Sequence, residues 1–229
     1  MRLRAAAAFI ALISKVPPSR DSYSVPWQNH CSILVELSPI GHCMPKGDLP
    51  QPPDFTEMNA GAGVGAAERE HLMTLVGALS LAWSNNESVL IYLMMVLLRT
   101  DDLSAALVYG TLNTARARSD LVSRLTRAHV SDQDLRGEVA DVLSALEKCG
   151  RVRNDLQHAS YEFDAAGRPV STRSMRVEQN RKRLSFGRVR PVDAARKVKI
   201  AEVIEELGHI NQRLWALLPR LERYMNNSE

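Results

Sequence analysis

The chain reads as a mostly α protein, an antiparallel bundle of four to five helices with a β-hairpin inserted before the last one. Three observations predict this. Apolar residues recur at three, four and seven positions over long stretches, which places them along helix faces. Asp- and Ser-rich capping signals separate those stretches. Aromatic content is only 5%, with many Ala and Leu residues, which leans away from sandwiches and barrels. A length of 229 residues supports one substantial core, and 45% hydrophobic with 24% charged content is ordinary for a globular protein.

Residues 1–65 carry eight prolines from Pro17 to Pro53 and then a Gly/Ala-rich stretch from Gly61, with no sustained period. A disordered leader is expected there. It is either a flexible leader or a segment upstream of a natural start at Met58. The opening run from Met1 to Ile13 imitates a signal peptide, but the small-residue cleavage pattern is missing before Pro17 and Pro18.

The folded domain is expected over 66–226. Leu72, Val76, Leu79, Trp83, Leu90, Met94 and Leu97 form one face of a first helix. Val89 to Leu98 is too short to span a bilayer, and Asn85, Asn86 and Glu87 interrupt the longer pattern, so no transmembrane segment is predicted. Asp101 and Asp102 are candidate caps for a second helix from Leu103 to about Ala128, with Leu107, Leu112, Leu121 and Leu125 apolar and a weak point at Thr111 to Thr114. Ser131-Asp132-Gln133-Asp134 opens a third helix carrying Leu135, Val139, Val142, Leu143, Leu146 and Val152. After a turn at Ala165-Ala166-Gly167, Val170 to Val177 and Arg183 to Val189 alternate around Glu178 to Arg181, which predicts a hairpin at about 170–190. Asp193 then caps a last helix with an apolar stripe from Val198 and Ile200 to Leu221.

Net charge is +3, too small by itself to imply a polyanion partner. Cys31, Cys43 and Cys149 form neither a CxxC pair nor an even disulfide set, which fits a reducing cytoplasm. His71, His129 and His209 stand on separate helices, and His30 and His42 lie in the leader. No metal site and no cofactor are expected.

One cluster has the residue types for chemistry: Arg153-Asn154-Asp155-Leu156-Gln157-His158. Arginine grips phosphate, and histidine titrates near neutrality. On a helix, Asn154 and His158 share a face, whereas Arg153 and His158 are about 140° apart. Asp155 is placed to orient the imidazole or to pair with Arg151. Glu87, bordering the first helix's stripe, is a candidate to pair with Arg153, Arg116 or Arg118 and so support the site; a purely structural ion pair is the alternative. In the hairpin region, Arg173, Arg176, Arg181, Lys182, Arg183, Arg188 and Arg190 make a basic ribbon suited to nucleic-acid phosphates. Within that region, the opposing acids are Glu178 and Asp193, and Phe186 is the lone aromatic.

The helical layout, the Trp83 to Glu87 segment, Arg116 and Arg118-Ser119-Asp120-Leu121, and Arg153-Asn154 with His158-Ala159 together resemble HEPN domains over about residues 70–225. That resemblance implies a helical bundle, commonly dimeric, whose Arg-x-x-x-x-His motif forms a metal-independent ribonuclease site in active members. It places Arg153, Asn154 and His158 in that site, with 2′,3′-cyclic phosphate and 5′-hydroxyl products. It also implies a homodimer, a toxin or defence role, and a cognate antitoxin or partner protein. The alternative is a non-catalytic helical module that dimerises and binds a protein or nucleotide.

Overall fold

In the computed structural model, residues 63–179 and 184–227 are described, and all belong to one compact unit, Gln51–Glu229. The predicted leader up to residue 62, and Arg181, Lys182 and Arg183 of the basic ribbon, lie outside the described residues. Five helices account for most of that region: α1 (Ala66–Leu98), α2 (Asp102–Thr111), α3 (Ala115–His129), α4 (Gln133–Gln157) and α5 (Ala194–Asn227). Between α4 and α5 come β1 (Ala159–Phe163), β2 (Pro169–Ser174), β3 (Val177–Gln179), β4 (Leu184–Phe186) and β5 (Val189–Pro191).

The expected helix starts carry the caps that produce them. Asp101 accepts a hydrogen bond from the Ser104 N–H at 2.9 Å, and Asp132 accepts one from the Leu135 N–H at 3.0 Å. Asp193 accepts from the Arg196 N–H at 2.8 Å. Each satisfies one of the orphan donors of a first helical turn.

The second predicted helix is in fact two. Leu112 turns to extended backbone, and the Thr114 hydroxyl then accepts from the Ala117 N–H at 3.1 Å to restart the chain as α3. As a result Leu107, expected on the apolar face, is 64% exposed, while Val122 is fully buried. Val198, counted in the last helix's stripe, is likewise exposed.

The two longest helices, α1 and α5, run parallel to each other. The Asn86 amide donates to the Leu207 carbonyl, the Asn211 amide to Asn85, and an Arg99 guanidinium N–H to Met225. Partner numbers therefore rise together along α1 and α5. In a five-helix up-and-down arrangement, first and last helices must point the same way. Leu79, Leu90, Leu93, Met94 and Leu97 of α1 and Leu207, Ile210, Leu214 and Leu221 of α5 form the centre of the core. By length and composition α1 could also cross a membrane; in this fold its most buried residues line that core. It runs unbroken through Asn85, Asn86 and Glu87, because Asn86 is buried with its amide bound to the Ala82 and Leu207 carbonyls.

The predicted hairpin is also divided. Its inner half pairs in a three-stranded antiparallel sheet of order β1-β2-β5, and its outer half makes a separate β3-β4 ribbon. Gly187, at φ +75°, stands in the connection between β4 and β5. Strand β1 begins directly after His158, where no strand is predicted; its Ala159-Ser160-Tyr161-Glu162-Phe163 has weak local alternation and is made a strand by pairing with β2. The insert is tied to the start of α1. The Gly65 N–H donates to the Ala166 carbonyl at 2.9 Å, and the buried Arg69 donates to the Gly167 carbonyl at 3.1 Å.

Candidate functional site

Helix α4 ends at His158, whose backbone N–H closes the last turn on the Asn154 carbonyl at 3.2 Å. The His158 side chain is exposed and, among the described residues, has no hydrogen-bond or ion-pair partner. Its carbonyl accepts from the Met175 N–H, which anchors this turn to the β insert.

Arg153 faces the other way, toward α1. Its guanidinium carbon sits 5.4 Å from the centre of the Trp83 ring, a cation–π distance. One of its terminal N–H groups donates to Asn154 Oδ1 at 2.9 Å, and its Nε is buried without a partner among the described residues. Asn154 therefore holds Arg153 rather than the imidazole, and no hydrogen bond joins Arg153 to His158.

Trp83 is itself held from two sides. Its indole N–H donates to Glu87 Oε2 at 2.8 Å. Its ring lies against α4 at Gly150, where an added Cβ would fall 2.7 Å from a ring carbon. Only glycine permits that approach without the ring moving. The other Glu87 oxygen accepts from Arg118 at 2.6 Å, with both side chains largely shielded from solvent. Arg118 in turn lies 4.0 Å above the Tyr109 ring. Burial first, and then the nearby Glu87 carboxylate, push the Tyr109 phenol above its ordinary pKa. Of the three arginines considered for Glu87, Arg118 is the partner; Arg116 lies near Asp120 on the surface.

On the opposite side of the α4 terminus, Asp155 pairs with Arg190 of β5 and not with Arg151, which is nearest Glu147 at 3.7 Å. Arg196 adds two bonds from its guanidinium to the Arg190 and Pro191 carbonyls at 3.2 and 3.4 Å. Burial chiefly, then the neighbouring Arg190 charge, lower the Arg196 pKa. Elsewhere in the ribbon, Arg173 donates twice to Glu162 Oε1, at 3.0 and 2.8 Å, while Arg176 and Arg188 are exposed. The acids opposing the ribbon thus include Glu162 and Asp155, which sequence distance kept out of view.

The structure brings together Arg153, Asn154, Trp83 and Glu87 with Arg118, and separately Asp155 with Arg190. Gly150 and Tyr109 were missed. Nothing local marks either residue, because each matters only through a neighbour on another helix. Among the described residues no group of three or more His, Cys, Asp or Glu side chains could hold a metal ion. The buried Cys149 thiol has its pKa raised, mainly by burial.

No protein-family model, no curated protein and no solved structure matches the chain.

Proposed function

We propose that the chain is a HEPN-like, RNA-binding protein that cleaves RNA without a metal ion, using His158 with Arg153 and Asn154. The observation that carries this reading is an exposed imidazole, uncommitted among the described residues, at the end of a helix whose last turns also present Arg153 and Asn154. Neutralisation of Asp155 by Arg190 removes an acid that would otherwise repel a phosphate.

In the proposed reaction the ribose 2′-oxygen attacks phosphorus, its proton passes to a neutral His158, and the 5′-oxygen departs with a proton supplied by a second imidazole. That second group comes from His158 of another copy, which makes a two-fold dimer the working unit. Arg153 stabilises charge on the phosphoryl oxygens once a phosphate displaces its Asn154 contact. The products are a 2′,3′-cyclic phosphate and a 5′-hydroxyl.

Incubation of the full chain with end-labelled structured RNA in EDTA tests this. The parent is expected to cleave, and His158→Ala to lose at least about 100-fold in rate with its helical circular dichroism intact. Unchanged cleavage in that variant overturns the assignment. The packing of Arg153 on Trp83 favours a second reading, a non-catalytic helical module that dimerises and binds a protein or nucleotide; salt-sensitive RNA binding without cleavage by the parent would select it.

A further inference from the structure

At the far end of α4 from His158, the turn joining α3 to α4 frames a cleft of about 360 Å³. It is lined by Ser123, Thr126 and Arg127 of α3 and by Gln133, Arg136 and Gly137 of α4, with two further small apolar residues. No carboxylate belongs to this lining. The side chains of Arg127, Arg136, Gln133 and Ser123 have no hydrogen-bond or ion-pair partner among the described residues. Thr126, by contrast, spends its hydroxyl on the Val122 carbonyl at 2.8 Å. Gly137 has nothing within 4 Å of where a Cβ would stand, so the cleft wall is open there.

Two guanidiniums, a carboxamide and a hydroxyl converging on a concave surface, with no internal anion to satisfy them, are donors arranged for an external one. Planar guanidinium forks match phosphate oxygens two at a time. We infer that the α3–α4 cleft is a phosphate-binding site, with Arg127 and Arg136 as its anion-holding residues.

The cleft also lies on the same stripe of α4 as His158. Ala140, at its edge, is eighteen residues before His158, which is five full turns. Between them the stripe is solvent-exposed at Ser144, Glu147 and Arg151, the last two lying 3.7 Å apart. From Arg136 to His158 the rise is about 33 Å. A single strand laid along this face would place one phosphate in the cleft and another beside His158. The RNA source of that phosphate rests on the function proposed above; the phosphate site does not.

The test compares the full-length parent, Arg127→Gln/Arg136→Gln and, as a control outside the cleft, Arg116→Gln in two arms. In the first, anisotropy of a labelled single-stranded RNA of about twelve nucleotides is followed between about 50 and 200 mM chloride. The double variant is expected to bind at least tenfold more weakly, with the slope of log affinity against log salt reduced by about 1.4, while Arg116→Gln, which alters a surface arginine outside the cleft, binds like the parent. In the second arm, inorganic phosphate at ionic strength matched with chloride is expected to raise the parent's thermal midpoint and not the double variant's. RNA loss in the first arm supports a phosphodiester occupant. A phosphate effect alone supports the site with a free phosphate or phosphomonoester and removes the RNA source. Identical behaviour of parent and double variant in both arms overturns the site, and does so whether or not the parent cleaves RNA.

Discussion

The two ends of α4 carry similar charges and use them oppositely. At the C-terminal end, Arg153 is packed on Trp83 and bonded to Asn154, and Arg190 is matched by Asp155. At the N-terminal end, Arg127 and Arg136 face a cleft and meet no acid among the described residues. The contrast teaches that a run of basic residues does not measure how much cation is available to a ligand. Availability is decided by which carboxylates the fold delivers to the same place.

The largest expected effect comes from opening the closed end. Glu87→Ala leaves the shielded Arg118 and the Trp83 indole N–H without their acceptor, and should lower stability by about 3 kcal/mol, read as a shift in urea midpoint. A loss well under 1 kcal/mol would show that water replaces the carboxylate and that the network is not closed.

Next is Gly150→Ala, which drives a methyl into the Trp83 ring and should cost about 2 kcal/mol by the same measurement. If the ring yields, Arg153 loses its platform, and a changed indole N–H resonance of Trp83 would report it before stability does.

A smaller change would make the closed end resemble the open one. Asp155→Asn frees Arg190 for phosphate and is expected to raise RNA affinity about threefold, with a salt slope steeper by about 0.7. Unaltered affinity would mean that Arg190 lies off the RNA path.

The smallest effect concerns the ribbon's other pair. Ser171 first and Arg173 second hold the Glu162 carboxyl below its ordinary pKa of 4.5. A depressed folded-state pKa contributes stability that is present above 4.5 and is lost as pH falls below it through the folded value. Glu162→Gln should therefore lower the thermal midpoint slightly at neutral pH and flatten by the same amount its decline below about pH 4.5, the two proteins converging in acid.

Much of the bundle was legible because its signals are local. Leu72, Leu79, Trp83, Leu90, Met94 and Leu97 were placed on one face of α1 by spacing, and all are buried. Asp101, Asp132 and Asp193 were readable as caps because a cap acts within three residues. Strand β1 was not legible, since its partner β2 supplies the hydrogen bonds that define it. The division of the hairpin escaped for the same reason, since β2 pairs with β5; the exposure of Leu107 escaped because the helix period continues across the weak point at Thr111 to Thr114 even though the backbone does not.

What the sequence determined by itself, then, is the helical class, the place of the β insert before the last helix, and the residue types at the end of α4. Only the tertiary structure decided that α1 and α5 run parallel, that Glu87 serves Arg118, that Asn154 holds Arg153 and that Asp155 is taken by Arg190. Periodicity and capping depend on neighbours a few positions away, so they can be read along the chain. The partner of a charge depends on which distant segment is folded against it, and for Glu87 and Arg118 that separation is 31 residues.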